Sequence, residues 1–284
     1  MATDLEQLTP DGAAYHGEGP CWSPSWGGIR WLDMLAGDVL GFGADGGVSR
    51  THVGDVVACV RPRRAGGAVL GIERGFALEE PDGRVVPLAQ AFTDTSIRMN
   101  EGGVDPDGRF YCGSMAYDQS PGAAALYRLD PDGTVSTVLT GVTVSNGLDW
   151  SPDGTRAYYN DTATGRIDVF DYERVAGLVE RRPFVRLSAG ERPDGLTVDS
   201  EGGVWTAIIN LGQVRRYSVE GELDEVIELP AAKVTACAFG GEELDELFIT
   251  TSAENLPAEE RAHAGALWRA RPGVTGQPVR CFAG

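Results

Sequence analysis

Glu18, Asn100, Asn146 and Asp194 hold the same place in four well-separated stretches of this chain, each with a glycine close behind it and then an apolar run. Two carboxylates and two amides offer only oxygen donors. That set suits a hard divalent cation such as Ca²⁺, Mg²⁺ or Mn²⁺, and accepts Zn²⁺ less diagnostically. Asn and Asp beside glycine are also common turn residues, because they tolerate the left-handed conformation and bond their own backbone. Repetition at one register favours the chemical reading. Two carboxylates gathered about one axis are costly to bury as anions, so either their pKa values rise or a cation sits between them.

Residues so far apart in sequence meet only if the elements that carry them are arranged around a centre. Short apolar runs alternate with Asp-Gly and Gly-Gly turns throughout, as in Ile29 to Asp33 before Asp45-Gly46-Gly47 and Arg109 to Cys112 before Asp130-Pro131-Asp132-Gly133. Each unit reads as strand, hairpin, strand. The polar-glycine-apolar segment returns every 40 to 48 residues, with weaker copies near Ala58 and Thr235, so starts fall near 18, 58, 100, 146, 194 and 235. That is the period of a four-stranded propeller blade. The expectation is an all-β, six-bladed β-propeller forming a single domain over residues 1–284. In such a ring the innermost strands line a central channel, and the four polar residues converge there. A β-sandwich has many short strands too, but does not require this period. Leu256 to His263 alone looks helical and is expected as a turn or short helix inserted in the last blade. The stretch Val279 to Phe282 is expected to pair with the N-terminal segment to close the ring.

The rest of the chain narrows the chemistry. Glycine fills 39 of 284 positions without a collagen period, which fits many tight turns. The charge of −18 opposes phosphate backbones and anionic lipid, so neither nucleic acid nor a membrane is expected as partner. No apolar run approaches a membrane span, and Met1 to Pro10 lacks the basic start and apolar core of a secretory signal. Five scattered cysteines, Cys21, Cys59, Cys112, Cys237 and Cys281, without a CxxC pair, read as reduced core residues of a cytoplasmic protein. There is no Gly-x-Ser-x-Gly elbow and no His-Glu-x-x-His. Of the three histidines, only His16, beside Gly17-Glu18, is placed to neighbour the site. Gly41-Phe42-Gly43-Ala44-Asp45-Gly46 spells the dinucleotide fingerprint, but no helix pattern follows it and it reads as a hairpin. Asp105-Pro106-Asp107-Gly108 and Asp130-Pro131-Asp132-Gly133 lack the twelfth-position Glu of a calcium loop and read as turns.

His16-Gly17-Glu18-Gly19-Pro20, Arg98-Met99-Asn100-Glu101-Gly102-Gly103, Val144-Ser145-Asn146-Gly147-Leu148-Asp149-Trp150 and Arg192-Pro193-Asp194-Gly195-Leu196 resemble the signature segments of the regucalcin/gluconolactonase family. Thr235 to Gly241 and Phe248 to Ser252 resemble its last blade, so the likeness covers nearly the whole chain. The resemblance implies a six-bladed propeller that hydrolyses sugar-acid (aldono) lactones, an activity of carbohydrate metabolism, with one divalent metal. It implies Glu18, Asn146 and Asp194 as metal ligands, Asp194 also as catalytic base, and Arg98 and Asn100 as substrate-binding residues with Glu101 beside them. Two departures bear on the substrate. Glu101 stands where many relatives have Asp, and the loop Tyr117 to Ala125 has no acidic residue after Asp118.

On these residues the metal would polarise the ester carbonyl and acidify a water, Asp194 would take the proton, and Arg98 and Asn100, two apart and so on one side of a strand, would hold the substrate. The cation could be Ca²⁺, Mn²⁺, Zn²⁺ or Mg²⁺, and the protein a monomer or weak homo-oligomer. Two alternatives stay open. One is a phosphotriesterase-type hydrolysis on the same scaffold, which usually draws on further channel Asn and Asp residues. The other is a non-catalytic Ca²⁺-binding or interaction propeller, since a fold does not fix a function.

Overall fold

Short strands with hairpin turns close together in space before distant ones do, and the chain folds accordingly into six four-stranded antiparallel sheets. The computed structural model describes residues 4–43 and 46–284. The innermost strands of the six sheets, in chain order, are Gly17–Ser23, Val57–Pro62, Ile97–Val104, Ser145–Trp150, Pro193–Val198 and Val234–Gly240. Each of the first five blades runs outward through the next three strands of the chain. The architecture is a six-bladed β-propeller. Apolar residues of facing blades fill the wedges between them: Trp205, Val234, Phe239 and Ile249 pack the fifth blade on the sixth, and Tyr111, Leu148, Trp150 and Tyr159 the third on the fourth.

The sixth blade is completed from the other end of the chain. Asp4–Gln7 pairs antiparallel with Leu267–Arg271 as its outermost strand, from Asp4 opposite Arg271 to Gln7 opposite Trp268. The expected partner, Val279 to Phe282, lies elsewhere. After Arg271 the tail crosses the face opposite the site: Gly276 bridges Asp199, Gln277 Nε2 donates to the carbonyls of Trp150 and Val198, and Phe282 bridges Arg63 in parallel. Phe282 is 2% exposed within the apolar wedge of the second and third blades, and burying that ring holds the tail there rather than at the sixth blade's edge.

The insertion at 256–263 contains one 3₁₀ turn, Ala258–Glu260. The glycine-rich stretch at 41–46 does turn, with Gly43 and Gly47 bonded between strands Asp38–Phe42 and Val48–His52, although its Ala44 and Asp45 lie outside the described residues. Cys21, Cys59, Cys112 and Cys237 are buried and unpaired, and burial pushes the Cys21 thiol up to about 11 and the Cys59 thiol to about 12. Among the described residues no helix is long and apolar enough to cross a membrane.

Candidate active site

All six innermost strands break register near their start, between Glu18 and Cys21, Val57 and Cys59, Met99 and Gly102, Ser145 and Leu148, Pro193 and Leu196, and Val234 and Ala236. A bulge leaves a residue unpaired and re-aims its side chain. Asn100, Asn146 and Asp194 each sit inside one of these bulges and Glu18, still paired with Leu32, at the edge of another, and all four line one cleft of about 660 Å³, together with His16, Arg98, Tyr117, Thr162, Arg192, Lys233 and Glu254. The glycines behind Asn146 and Asp194 are there because neighbouring blades touch near the axis. A Cβ on Gly147 would stand 2.3 Å from the Leu196 nitrogen, and one on Gly195 2.4 Å from the Ala236 Cβ.

The amides are ordered by a chain of bonds. Arg98 Nη1 donates to Asn100 Oδ1 at 2.7 Å, and Asn100 Nδ2 donates to the Ser145 carbonyl at 2.7 Å and to Asn146 Oδ1 at 2.8 Å. Asn146 Nδ2 then donates to Thr162 Oγ1 at 2.5 Å, whose hydroxyl donates to the Pro193 carbonyl at 2.8 Å. The Asn146 oxygen is thereby held in place with a lone pair to spare. Asn100 is engaged at both ends of its amide by the protein itself.

The carboxylates have far less support. Glu18 and Asp194 are each 3% exposed. The Glu18 carboxylate accepts from the Gly19 N–H at 3.1 Å and lies 3.9 Å from His16 Nε2. Among the described residues, no hydrogen bond or ion pair reaches the Asp194 carboxylate. Burial first, then the Asp194 and Glu101 charges, hold the Glu18 carboxyl well above its usual range; burial and Glu101 do the same to Asp194, against Arg98. His16 cannot neutralise them, because burial, helped by Arg98 and Lys233, pulls it down to about 3, and its Nδ1 lies 2.8 Å from Ser252 Oγ. Two buried carboxylates short of positive partners and one oriented amide oxygen form a donor set that fits a hard divalent cation.

Glu101 is not part of this cleft. Adjacent strand residues point to opposite sides, so while Asn100 faces the cleft, Glu101 faces a second, smaller cavity of about 80 Å³ toward the tail, with Arg61, Asp149 and Arg280. Thr162, Arg192, Lys233 and Glu254 line the cleft without having been singled out in the sequence. Arg192 and Lys233 carried a signal, since each stands two places before the residue that its blade turns toward the axis.

A ring of bulged inner strands that brings two carboxylates and two amides to one open cleft defines the class: a six-bladed propeller with a polar central site. Residues 16–253 match the family described as "SMP-30/Gluconolactonase/LRE-like region", and the chain belongs to that family. It is 34% identical to regucalcin of Danio rerio, over 94% of this chain and 95% of that protein. It is 35% identical to pentonolactonase XacC of Haloferax volcanii, over 92% of each. The crystal structure of regucalcin from Agrobacterium tumefaciens, described as a calcium-binding protein, superposes with a TM-score of 0.92 at 22% identity, covering 99% of this chain and 98% of that one.

Proposed function

We propose that this protein hydrolyses a sugar-acid (aldono) lactone to the aldonic acid with the aid of one divalent cation held by Glu18, Asn146 and Asp194. The observation that carries the reading is the pair of buried carboxylates, poor in basic partners, beside one fixed amide oxygen. Family membership and the lactonase among the relatives support the reaction class.

A cation bound there supplies Lewis acidity toward the ester carbonyl and water. The chain's own residues do the rest. Asp194 takes a proton of the attacking water at a carboxylate oxygen; the water oxygen joins the carbonyl carbon, the ring C–O bond breaks, and Asp194 returns that proton to the departing oxygen, which leaves as a hydroxyl. Arg98, whose bonds all leave from Nη1, keeps its remaining N–H groups for the substrate's oxygens. Asn100 fixes both Arg98 and the Asn146 oxygen, which makes it a positioning residue.

The phosphotriesterase alternative gains little from the ring. The corresponding residues of the second and sixth blades are Ala58 and Thr235, and the Thr235 hydroxyl already donates to the Gly17 carbonyl at 2.6 Å. The open cleft supports a small-molecule substrate over a purely interacting surface. Asp194→Asn keeps the shape and removes the charge: lactonase activity is expected to fall at least about a thousandfold, with calorimetric cation affinity falling too. A fully active Asn variant would refute the assignment.

A further inference from the structure

Each innermost strand carries a second residue two positions before the one at its register break. That spacing returns to the same face of the strand. Around the ring these residues are His16, Val56, Arg98, Val144, Arg192 and Lys233, and all but Val56 line the cleft. Where the inner tier carries two carboxylates, the outer one carries three cations.

None of the three has an ion-pair partner among the described residues. Arg98 bonds to Asn100 Oδ1, the Met99 carbonyl and the Met34 sulfur. Lys233 Nζ donates to the Glu254 main-chain carbonyl at 2.7 Å. Arg192 is anchored through its backbone N–H, which donates to Asn210 Oδ1 at 3.1 Å. Most of the other arginines, in a chain with 42 acidic against 24 basic residues, are tied up by carboxylates, as Arg215 is by Glu191 at 2.9 Å and Arg109 by Asp105 at 2.6 Å. Lys233 is the chain's single lysine. Besides the inner pair, Glu254 is the one acidic side chain lining the cleft among the described residues.

The positions divide the labour. Arg98, 5% exposed and bonded to Asn100, belongs to the reacting centre. Arg192 is exposed and Lys233 half-buried, on the adjacent fifth and sixth blades. We propose that the cleft selects a lactone carrying an ionised group away from the ester, a carboxylate, phosphate or sulfonate, which Arg192 and Lys233 hold together. A protein of charge −18 repels such a substrate at long range, and a local cationic lip offsets that repulsion where it matters. The proposal rests on the lactonase reading for its substrate, and its test separates the two.

Ring-matched lactones that are neutral, or that end in a carboxylate, a phosphate or a sulfonate, are compared on the cation-loaded wild type, Arg192→Gln, Lys233→Gln and the double variant. The expected result is a kcat/KM for at least one ionised lactone about tenfold or more above the neutral one, shrinking as salt rises. In the double variant that ratio falls about tenfold, chiefly through KM, and the preferred arm identifies the group. A wild type that prefers the neutral lactone, or a double variant that slows all substrates alike, overturns the proposal. The open-chain products, with and without the second ionised group, are titrated calorimetrically in parallel. If no lactone is turned over, the lactonase reading fails, and the titrations still decide: tighter binding of the doubly ionised product that vanishes in the double variant supports the cationic lip, and equal binding refutes it.

Discussion

Asn100 and Glu101 are neighbours with opposite assignments. The sequence places both near the substrate, yet Asn100 is engaged in ordering Arg98 and Asn146, and Glu101 looks into the cavity on the tail side. Strand alternation predicts that split, but the bulge at this point makes the side each residue takes unreadable without the fold. Glu101 has its own signature: it is 4% exposed, its Oε2 has no hydrogen-bond partner, and burial raises its carboxyl to about 7 in spite of Arg61. A carboxyl raised on folding contributes stability that is complete below its unfolded value near 4.5 and is lost as pH climbs through about 7. Glu101→Gln is therefore expected to flatten the fall in the urea midpoint between pH 5 and 8, removing a dependence on the order of 3 kcal/mol. An unchanged slope would place the titrating group elsewhere.

At the scale of the strand, the recurring glycines are the feature whose meaning changed most. The polar-glycine-apolar signature was visible, and its period was enough to propose blades, because the spacing of like segments is a property of the chain alone. The need for glycine at 147 and 195 is not visible in the sequence, since the atoms these residues must clear belong to the next blade. Gly195 illustrates this, with Ala236 and the Thr235 carbonyl where its Cβ would be. Gly195→Ala must push these strands apart and drag Asp194 with them. A loss of about 3 kcal/mol and a clear drop in cation affinity are expected, the first read by chemical denaturation and the second by calorimetry. A variant with wild-type affinity would show that the bulge tolerates movement.

The whole molecule is a ring closed by one strand and strapped by a tail. Closure through Asp4–Gln7 had a sequence hint, but the choice of partner depended on where Phe282 would find an apolar wedge, which is a tertiary matter. Removing residues 1–12 uncovers the edge of Leu267–Arg271 and deletes the Arg269–Glu6 ion pair at 2.5 Å, so the thermal midpoint should fall by about 5 °C or more. An unchanged midpoint would mean that the tail alone holds the ring. Convergence of Glu18, Asn146 and Asp194 is likewise a whole-molecule result: their types were readable, and only the closed ring brings them to one cleft. The central claim, that this convergence serves cation-dependent lactone hydrolysis, is tested most directly by stripping the protein of divalent ions and following acid release from a panel of aldono-1,4- and 1,5-lactones as Ca²⁺, Mn²⁺, Zn²⁺ and Mg²⁺ are restored one at a time. Turnover that is lost on stripping and returns with at least one cation is the predicted result; no turnover of any lactone with any cation, or full turnover without one, would contradict it.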